Sequence, residues 1–322
     1  MSIGEFELIK RFFNRPALRF DVVEGIGDDC ALLRPQAGKC LATTVDTLVE
    51  GVHFLPGTSP ESIGHKALAV NLSDLAAMGA TPTWVTLALT IPQADEHWLE
   101  AFAFGFRALA DHFGVELVGG DTTRGPLSVT VQASGVVDEV GALRRSAARW
   151  GDGIYLTGDL GLAGLGLQIV LGNTTQQSPE AVAKLERPQP RVNAGMSLAG
   201  FANACIDISD GLAADLGHIL TASGVGATLE WIALPLPVTV RQYIEAEGDV
   251  WMPLRAGDDY ELCFTVSPER EEELPGRMAE FGCSCVRIGR IDQQLGLRLS
   301  KDGCIYDLAT LGYQHFPIPA QR

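Results

Sequence analysis

The chain has 322 residues, of which 24 are Lys or Arg and 40 are Asp or Glu, so its formal net charge is −16. This charge argues against a protein that binds nucleic acid or an anionic membrane through a basic surface. At 46% hydrophobic residues the chain is too apolar to be disordered, and its length predicts two domains.

The sequence shows no sign of a membrane span or an export signal. Its most apolar stretch, residues 160–171, is short and glycine-rich. The segment at residues 1–13 carries acidic and basic side chains where a secretory signal would be apolar. The seven cysteines lack zinc-type spacing. We therefore expect a cytoplasmic protein whose cysteines are thiols.

The first half of the sequence alternates between strand and helix patterns. After a short helix at residues 5–13, the patterns predict strands at 30–34 and 40–47, a helix at 60–78, a strand at 84–91, a helix at 95–113, and strands at 115–118 and 127–137. Ser59 and Pro60 are typical of a helix start, and Gly79 is typical of a helix end. The order ββαβαββ predicts an α+β (mixed α/β) domain, residues 1–139, with helices on one face of its sheet.

Residues 140–322 are predicted to form a second, α/β domain. The patterns predict a strand at 154–157, helices at 160–171, 180–186 and 191–204, a strand at 206–208, a helix at 211–223, and strands at 227–230, 262–266, 286–291 and 297–299. The glycine-rich run at 158–161 is either a simple turn or a helix start that presents N–H groups to a phosphate.

Aspartates recur beside Gly, Ser and Thr in six short segments: residues 27–29, 43–47, 71–74, 119–123, 207–211 and 257–261. Each segment alone is explained by a turn or a helix cap. However, Asp46 and Asp121 are predicted at strand ends, and Asp74 lies inside an apolar helix. A carboxylate in such a helix is costly unless it is paired or metal-bound. Several hard oxygen ligands favour Mg²⁺ over zinc.

Other candidate residues are fewer. The sequence contains neither a P-loop nor a protein-kinase catalytic loop. His53 follows the strand that carries Asp46 and is the histidine most suited to a site. Arg124, Arg144 and Arg145 are either anion contacts or solvated surface residues.

Seven motifs, in order along nearly the whole chain, carry a resemblance. They are GEFELI at 4–9, GIGDDCALL at 25–33, TVDTLVEGVHF at 44–54, KALAVNLSDLAAMGATP at 66–82, GGDTTRGPLS at 119–128, IDISDGLAADLGHI at 206–219 and DDYELCF at 258–264. Together they resemble the thiamine-monophosphate kinase family, a branch of the aminoimidazole ribonucleotide synthetase-like superfamily.

The resemblance implies ATP-dependent phosphorylation of thiamine monophosphate to thiamine diphosphate, the final step of thiamine diphosphate biosynthesis, with ADP as the second product. It also implies a homodimer that associates through N-terminal sheets. ATP would be a co-substrate bound in a cleft that the second domain completes. Several Mg²⁺ ions would assist, and a K⁺ requirement is left open.

The resemblance also implies roles for individual residues. The expected metal ligands are Asp29, Thr44, Val45 through its carbonyl, Asp46, Asp74, Asp121, Asp207 and Asp210. The expected ATP contacts are Gly120, Asp121, Arg145 and Ser209, and the expected substrate contacts are His53, Asp258 and Tyr313. Asp46, Asp121 and Arg145 are expected to be catalytic. Glu is usual in the family at position 258, so the contact made by Asp258 is one methylene shorter.

The chemistry of this reaction fits the composition. The acceptor phosphate has a second pKa near 6 and needs no strong base at neutral pH. The obstacle is repulsion, about 4 kcal/mol for two unit charges roughly 4 Å apart at an effective dielectric of about 20. We therefore expect direct in-line transfer with the help of magnesium. Two alternatives stay open: another ATP-dependent synthetase of the superfamily, and a non-catalytic protein that binds Mg-nucleotide.

Overall fold

The computed structural model describes residues 5–308 and divides into two compact units. The first unit comprises the chain up to Ala142 together with Glu186–Met196, and the second comprises Leu143–Leu185 and the chain from Ser197 onward. The division of roles between residues 1–139 and residues 140–322 stays a prediction. Within residues 5–308, no helix is both long and apolar enough to cross a membrane.

The first unit contains a four-stranded sheet and two long helices. Its helices are α1 (Glu5–Leu8, continued by a π-helical turn at Ile9–Phe13), α2 (Pro60–Ala77) and α3 (Glu96–Phe113). Its strands are β1 (Val22–Glu24), β2 (Leu32–Leu33), β3 (Cys40–Val49), β4 (Thr81–Ile91), β5 (Glu116–Arg124) and β6 (Ser128–Val137).

The sheet of this unit has the strand order β3-β6-β4-β5, and β1 pairs separately with β2. All its pairs are antiparallel except β4 with β5. Leu48, Val131 and Leu87 are buried on the face that the helices cover, whereas Val45 and Thr47 on the other face of β3 are exposed. The predicted mixed α/β domain with helices on one face is confirmed.

Helix α2 begins and ends as its sequence predicts. The Ser59 side chain accepts the N–H of Ser62 at 3.1 Å, and Pro60 occupies the first helical position. The helix stops before Gly79, whose φ of +68° suits a residue without a Cβ. These local signals set the ends of α2, and the hydrogen bond from Thr44 on β3 places Asp74 against the sheet.

Two strand lengths differ from the prediction, with consequences for the site. Strand β3 continues past Asp46 to Val49, and β5 continues through the glycines and Asp121 to Arg124. The expectation that Asp46 and Asp121 end their strands is wrong. Both stay in strands because neighbouring strands pair with them, Asp46 opposite Val131 and Asp121 opposite Ala88.

The second unit is built around a seven-stranded sheet of order β13-β12-β9-β11-β7-β10-β8. Its strands are β7 (Gly153–Thr157), β8 (Ala204–Asp207), β9 (Gly226–Glu230), β10 (Leu262–Val266), β11 (Cys285–Asp292), β12 (Gly296–Lys301) and β13 (Cys304–Asp307). The remaining helices are α4 (Leu162–Val170), α5 (Pro179–Glu186), α6 (Val192–Leu198), α7 (Leu212–Ser223), α8 (Val238–Glu247), α9 (Met252–Arg255) and α10 (Leu274–Glu280). Three short 3₁₀ turns lie at Arg145–Ala147, Trp231–Ala233 and Pro268–Arg270.

The predicted helix at 191–204 is wrong in its length. Helix α6 ends at Leu198, the chain turns at Gly200 with a φ of +68°, and β8 begins at Ala204. Helices α8, α9 and α10 and strands β1 and β13 were not predicted, because they are short or lack a strong apolar period. All seven cysteines are free thiols, as predicted.

Candidate active site

Two carboxylates face each other in the first unit. Asp46 lies on β3 and Asp74 on α2, and the Thr44 hydroxyl, also on β3, donates a hydrogen bond to Asp74 Oδ2. Burial, with a further contribution from the negative charge of Asp74, raises the pKa of Asp46 to about 6. Thr44, Asp46 and Asp74 are thus brought together, in an arrangement that favours a cation.

A further oxygen lies on the same helix. Asn71 is fully buried one helical turn before Asp74, and its Nδ2 donates to the carbonyl of Ala67 at 3.1 Å. Its Oδ1 has no hydrogen-bond partner in the described part of the chain. A buried amide oxygen without a partner is costly, and a cation would satisfy it. Among residues 5–308, no three His, Cys, Asp or Glu side chains are grouped closely enough to hold a metal by themselves.

Gly120 and Asp121 lie on β5, at the edge of the sheet opposite to β3. One register row runs from Asp46 through Val131 and Leu87 to Gly120. Three strand spacings separate the ends of that row, which amounts to roughly 14 Å. The structure therefore does not place Asp121 beside Asp46 within this sheet.

The position of Gly120 admits no side chain. Its φ is +152°, and a Cβ there would lie 1.9 Å from the carbonyl oxygen of Leu87 on β4. This close approach of two backbones keeps the exposed Asp121 at a defined place on β5. Glycine is thus required at position 120 for packing, whatever ligand it contacts.

The ring of His53 is held in one orientation by the backbone of Val49 on β3. The Val49 N–H donates to its Nδ1 at 3.0 Å, so the proton of the neutral ring is on Nε2. The buried Lys66 donates from Nζ to the His53 carbonyl at 3.2 Å. The ring and the carbonyl of His53 are thus both hydrogen-bonded within the first unit.

The other predicted ligands of this unit are more exposed. Asp29 lies in the exposed turn between β1 and β2, where its N–H donates to Asp28 Oδ1 at 2.8 Å. Val45 precedes Asp46 on β3, and its side chain is 60% exposed on the open face of the sheet.

In the second unit, two loops pack backbone to backbone. The Asp258 N–H donates to the Ser209 carbonyl at 3.0 Å, and the Tyr260 N–H donates to the Ile208 carbonyl at 2.8 Å. Asp258 and Tyr260 both have positive φ values, +67° and +47°. This pairing brings the predicted substrate contact Asp258 beside the predicted ATP contact Ser209 and the predicted metal ligand Asp210.

A carboxylate that the sequence analysis missed organises the first of these loops. Asp215 Oδ2 accepts the N–H groups of Ser209, Asp210 and Gly211 at 3.0–3.1 Å. Burial, and then the charges of Asp207 and Asp210, raise the pKa of Asp215 to about 8. Asp207 ends β8 and is 3% exposed. The spacing of Asp215 from the glycine that precedes α7 is the signal that could have revealed it.

Two further buried carboxylates hold the second loop. Asp259 accepts the N–H groups of Gly161 (2.7 Å) and Ala163 (3.2 Å), while burial raises its pKa to about 7. Glu261 accepts from Lys184 Nζ at 2.6 Å and from Thr157 Oγ1 at 2.8 Å. The run at 158–161 leads into helix α4, with Gly161 as its N-cap, and the N–H of Gly161 bonds to the chain's own Asp259.

The predicted arginine lies elsewhere on this unit. Arg145 is exposed in a short 3₁₀ turn, and its carbonyl accepts from Ser223 Oγ at 2.8 Å. Ser223 ends α7, roughly 18 Å along the helix from Gly211. The backbone of Arg145 is therefore not beside Ser209. Tyr313 lies outside the described residues.

The chain matches known proteins over nearly its whole length. The family described as AIR synthase related protein matches with its N-terminal domain at residues 27–137 and its C-terminal domain at residues 149–301. The thiamine-monophosphate kinase of Salmonella typhimurium is 45% identical over 99% of this chain and 100% of its own length.

Two solved structures extend the comparison. The thiamine-monophosphate kinase of Stenotrophomonas maltophilia is 45% identical, covers 94% of this chain and 98% of its own, and superposes with a TM-score of 0.85. A structure described as AaThiL complexed with AMPPCP and TMP is 31% identical, covers 97% of this chain and 96% of its own, and has a TM-score of 0.77.

Proposed function

Because the chain belongs to the thiamine-monophosphate kinase family within the AIR synthase related proteins, we propose that it phosphorylates thiamine monophosphate in the cytoplasm. ATP is the phosphoryl donor, and the products are thiamine diphosphate and ADP. One observation carries this proposal, the end-to-end identity of 45% with a thiamine-monophosphate kinase. The AMPPCP and TMP held by a 31% identical relative support the two substrates.

The residues of the first unit fit magnesium. Asp46 and Asp74 are like-charged neighbours, and the buried Asn71 Oδ1 lacks a hydrogen-bond partner among the described residues. These are hard oxygen donors of the kind that Mg²⁺ prefers. Asp46, Asp74 and Thr44 would hold the ion, with Asp207 and Asp210 as candidates in the second unit. Bound magnesium would offset the repulsion between the two phosphate groups.

The chain's own residues orient the acceptor. His53 is proposed to donate from Nε2 to the acceptor phosphate, because its Nδ1 accepts the Val49 N–H. The αL conformation of Asp258 is held by the bonds between its loop and the loop at 208–211. The acceptor phosphate is already ionised at neutral pH, so these residues need only position the acceptor molecule and need not remove a proton from it.

Transfer is proposed to be direct, without a phosphoenzyme. The buried thiols of Cys205 and Cys263 have raised pKa values, which makes them poor nucleophiles. Rapid-quench single turnover with γ-labelled ATP tests this step. Label should pass to thiamine diphosphate with none on the protein, and protein-bound label that precedes product would contradict direct transfer.

A parallel assay of ADP release tests the reaction itself. Thiamine monophosphate, thiamine and aminoimidazole precursors are each added with ATP and Mg²⁺. Stimulation by thiamine monophosphate alone supports the proposal. Stimulation by an aminoimidazole precursor would favour another synthetase of the superfamily, and no stimulation would favour a protein that only binds the nucleotide.

The homodimer is proposed to form through the open face of the four-stranded sheet. Helices cover one face, whereas Leu41 and Val45 of β3 are 50% and 60% exposed on the other. Apolar side chains on a bare sheet face favour burial against a second copy, which would present the same face.

A further inference from the structure

The turn before α7 is closed by a carboxylate from inside the helix. Asp215, which is 2% exposed, lies in the first turn of α7. One of its oxygens, Oδ2, accepts the N–H groups of Ser209 (3.1 Å), Asp210 (3.0 Å) and Gly211 (3.1 Å). Three consecutive amides therefore point at one buried oxygen.

This arrangement has a steric cause. The residue before a helix ordinarily caps it with its own side chain. Here that residue is Gly211, at a φ of +112°, where a Cβ would lie 2.7 Å from the carbonyl carbon of Arg255. No capping side chain fits at position 211. Asp215 satisfies the amides from within the helix instead.

The direction of these amides decides what the loop can bind. A glycine-rich loop at a helix start usually opens its N–H groups outward and holds phosphate. In this loop the amides are directed at Asp215. The other polar groups of the loop are oxygens, the Ser209 hydroxyl and the Asp210 carboxylate, which are of the type that suits a cation or a hydroxyl donor.

We infer that Asp215 is a positioning residue for the nucleotide, because it turns the amides of residues 209–211 away from the phosphates. The loop then meets the metal-bound phosphates through oxygens of Ser209 and Asp210. This inference rests on the proposed kinase function. It assigns Asp215 no contact with either substrate.

Amide hydrogen exchange tests the inference without turnover. The amides of residues 209–211 should be protected in the nucleotide-free protein and equally protected with AMPPCP and Mg²⁺. Rapid exchange in the free protein, with protection that arises only on adding AMPPCP, would mean that the phosphates bind these amides and would overturn the inference.

Substitutions supply the second test. Asp215→Asn keeps an oxygen that can accept the three amides, whereas Asp215→Ala keeps none. Asp215→Ala should raise KM for ATP about tenfold or more while KM for thiamine monophosphate changes less than about twofold. Asp215→Asn should stay within about threefold of the wild type for both substrates.

Asp152→Ala is the matched control. Asp152 is 1% exposed in the same unit and accepts the Arg149 N–H at 3.0 Å and the Thr265 hydroxyl at 2.9 Å. Asp152→Ala should lower Tm, while its KM values for ATP and thiamine monophosphate stay within about twofold of the wild type. An unchanged KM for ATP in Asp215→Ala, or an equal rise in Asp152→Ala, would overturn the inference.

The two proposals fail in different ways. If Asp215→Ala does not fold, Asp215→Asn and the exchange pattern decide, because both use folded protein. If the wild type does not phosphorylate thiamine monophosphate, the kinase proposal fails. Amide protection measured without nucleotide would still show whether Asp215 holds the loop.

Discussion

At the scale of single residues, Asp46 combines a proposed role as a metal ligand with a cost in stability. Its carboxylate is largely buried on β3 and faces Asp74, so folding disfavours its ionised form and raises its pKa to about 6. The unfolded carboxyl has the lower pKa and loses its proton first. Stability therefore falls as the pH rises from about 4 to about 6 and stays lower above that range.

Asp46→Asn should consequently be inactive and, without metal, more stable than the wild type at pH 8. A pKa raised from 3.8 to about 6 corresponds to at most about 3 kcal/mol. Urea unfolding in EDTA at pH 8 and at pH 4 measures the gain, which should disappear at the lower pH. Equal stability of Asp46→Asn and the wild type at pH 8 would show that the charge of Asp46 does not destabilise the metal-free protein.

Asp121 should behave differently, because it is exposed on β5. Asp121→Asn should lower turnover by about 100-fold or more and change the free energy of unfolding by less than about 0.5 kcal/mol. Steady-state assays over a magnesium series, with urea titration, measure both effects. Glu100→Gln, on an exposed position of α3, is the control and should alter neither. If Asp121→Asn turns over like the wild type at limiting magnesium, Asp121 is not part of the active site.

At the scale of elements, the pairing of β4 with β5 depends on one glycine. Gly120→Ala should destabilise the protein by about 2–4 kcal/mol, because its Cβ would lie 1.9 Å from the Leu87 carbonyl oxygen and its φ is +152°. Gly119→Ala is the matched control on the same strand, since its nearest neighbour, Thr86 Cγ2, is 3.9 Å away. Urea unfolding should show that Gly119→Ala lowers the free energy of unfolding by less than about 1 kcal/mol. Equal effects would mean that β5 shifts to accommodate the methyl group.

The elements also show what local sequence signals can and cannot predict. The start of α2 was predictable because Ser59 and Pro60 act through neighbouring amides. The full lengths of β3 and β5 were not, because residues such as Asp46 and Gly120 are kept in strands by partners distant in sequence. Similarly, the break between α6 and β8 depends on how Ala204 pairs with Thr265.

At the scale of the whole molecule, the acidic residues separate into two kinds. Asp46, Asp74 and Asp210 were recognisable as candidate ligands, Asp46 and Asp74 from their places in a strand and an apolar helix, and all three from motifs that resemble a family. Asp215 and Asp259 were not, because their role is to accept the chain's own amides, and that depends on loop geometry. A residue type and its spacing indicate which chemistry is present, whereas the direction of the amides appears only in the fold.

The net charge of −16 bears on assembly as well, because two copies of the chain repel each other. The proposed contact through the open face of β3 must outweigh that repulsion, and Leu41, 50% exposed there, is suited to test it. In a two-fold dimer Leu41→Lys introduces two buried positive charges, so the dimer should dissociate at micromolar concentration in sedimentation velocity. Leu295→Lys, at a position 68% exposed in the second unit, is the control and should sediment like the wild type. A Leu41→Lys protein that remains dimeric would mean that the copies associate through another surface.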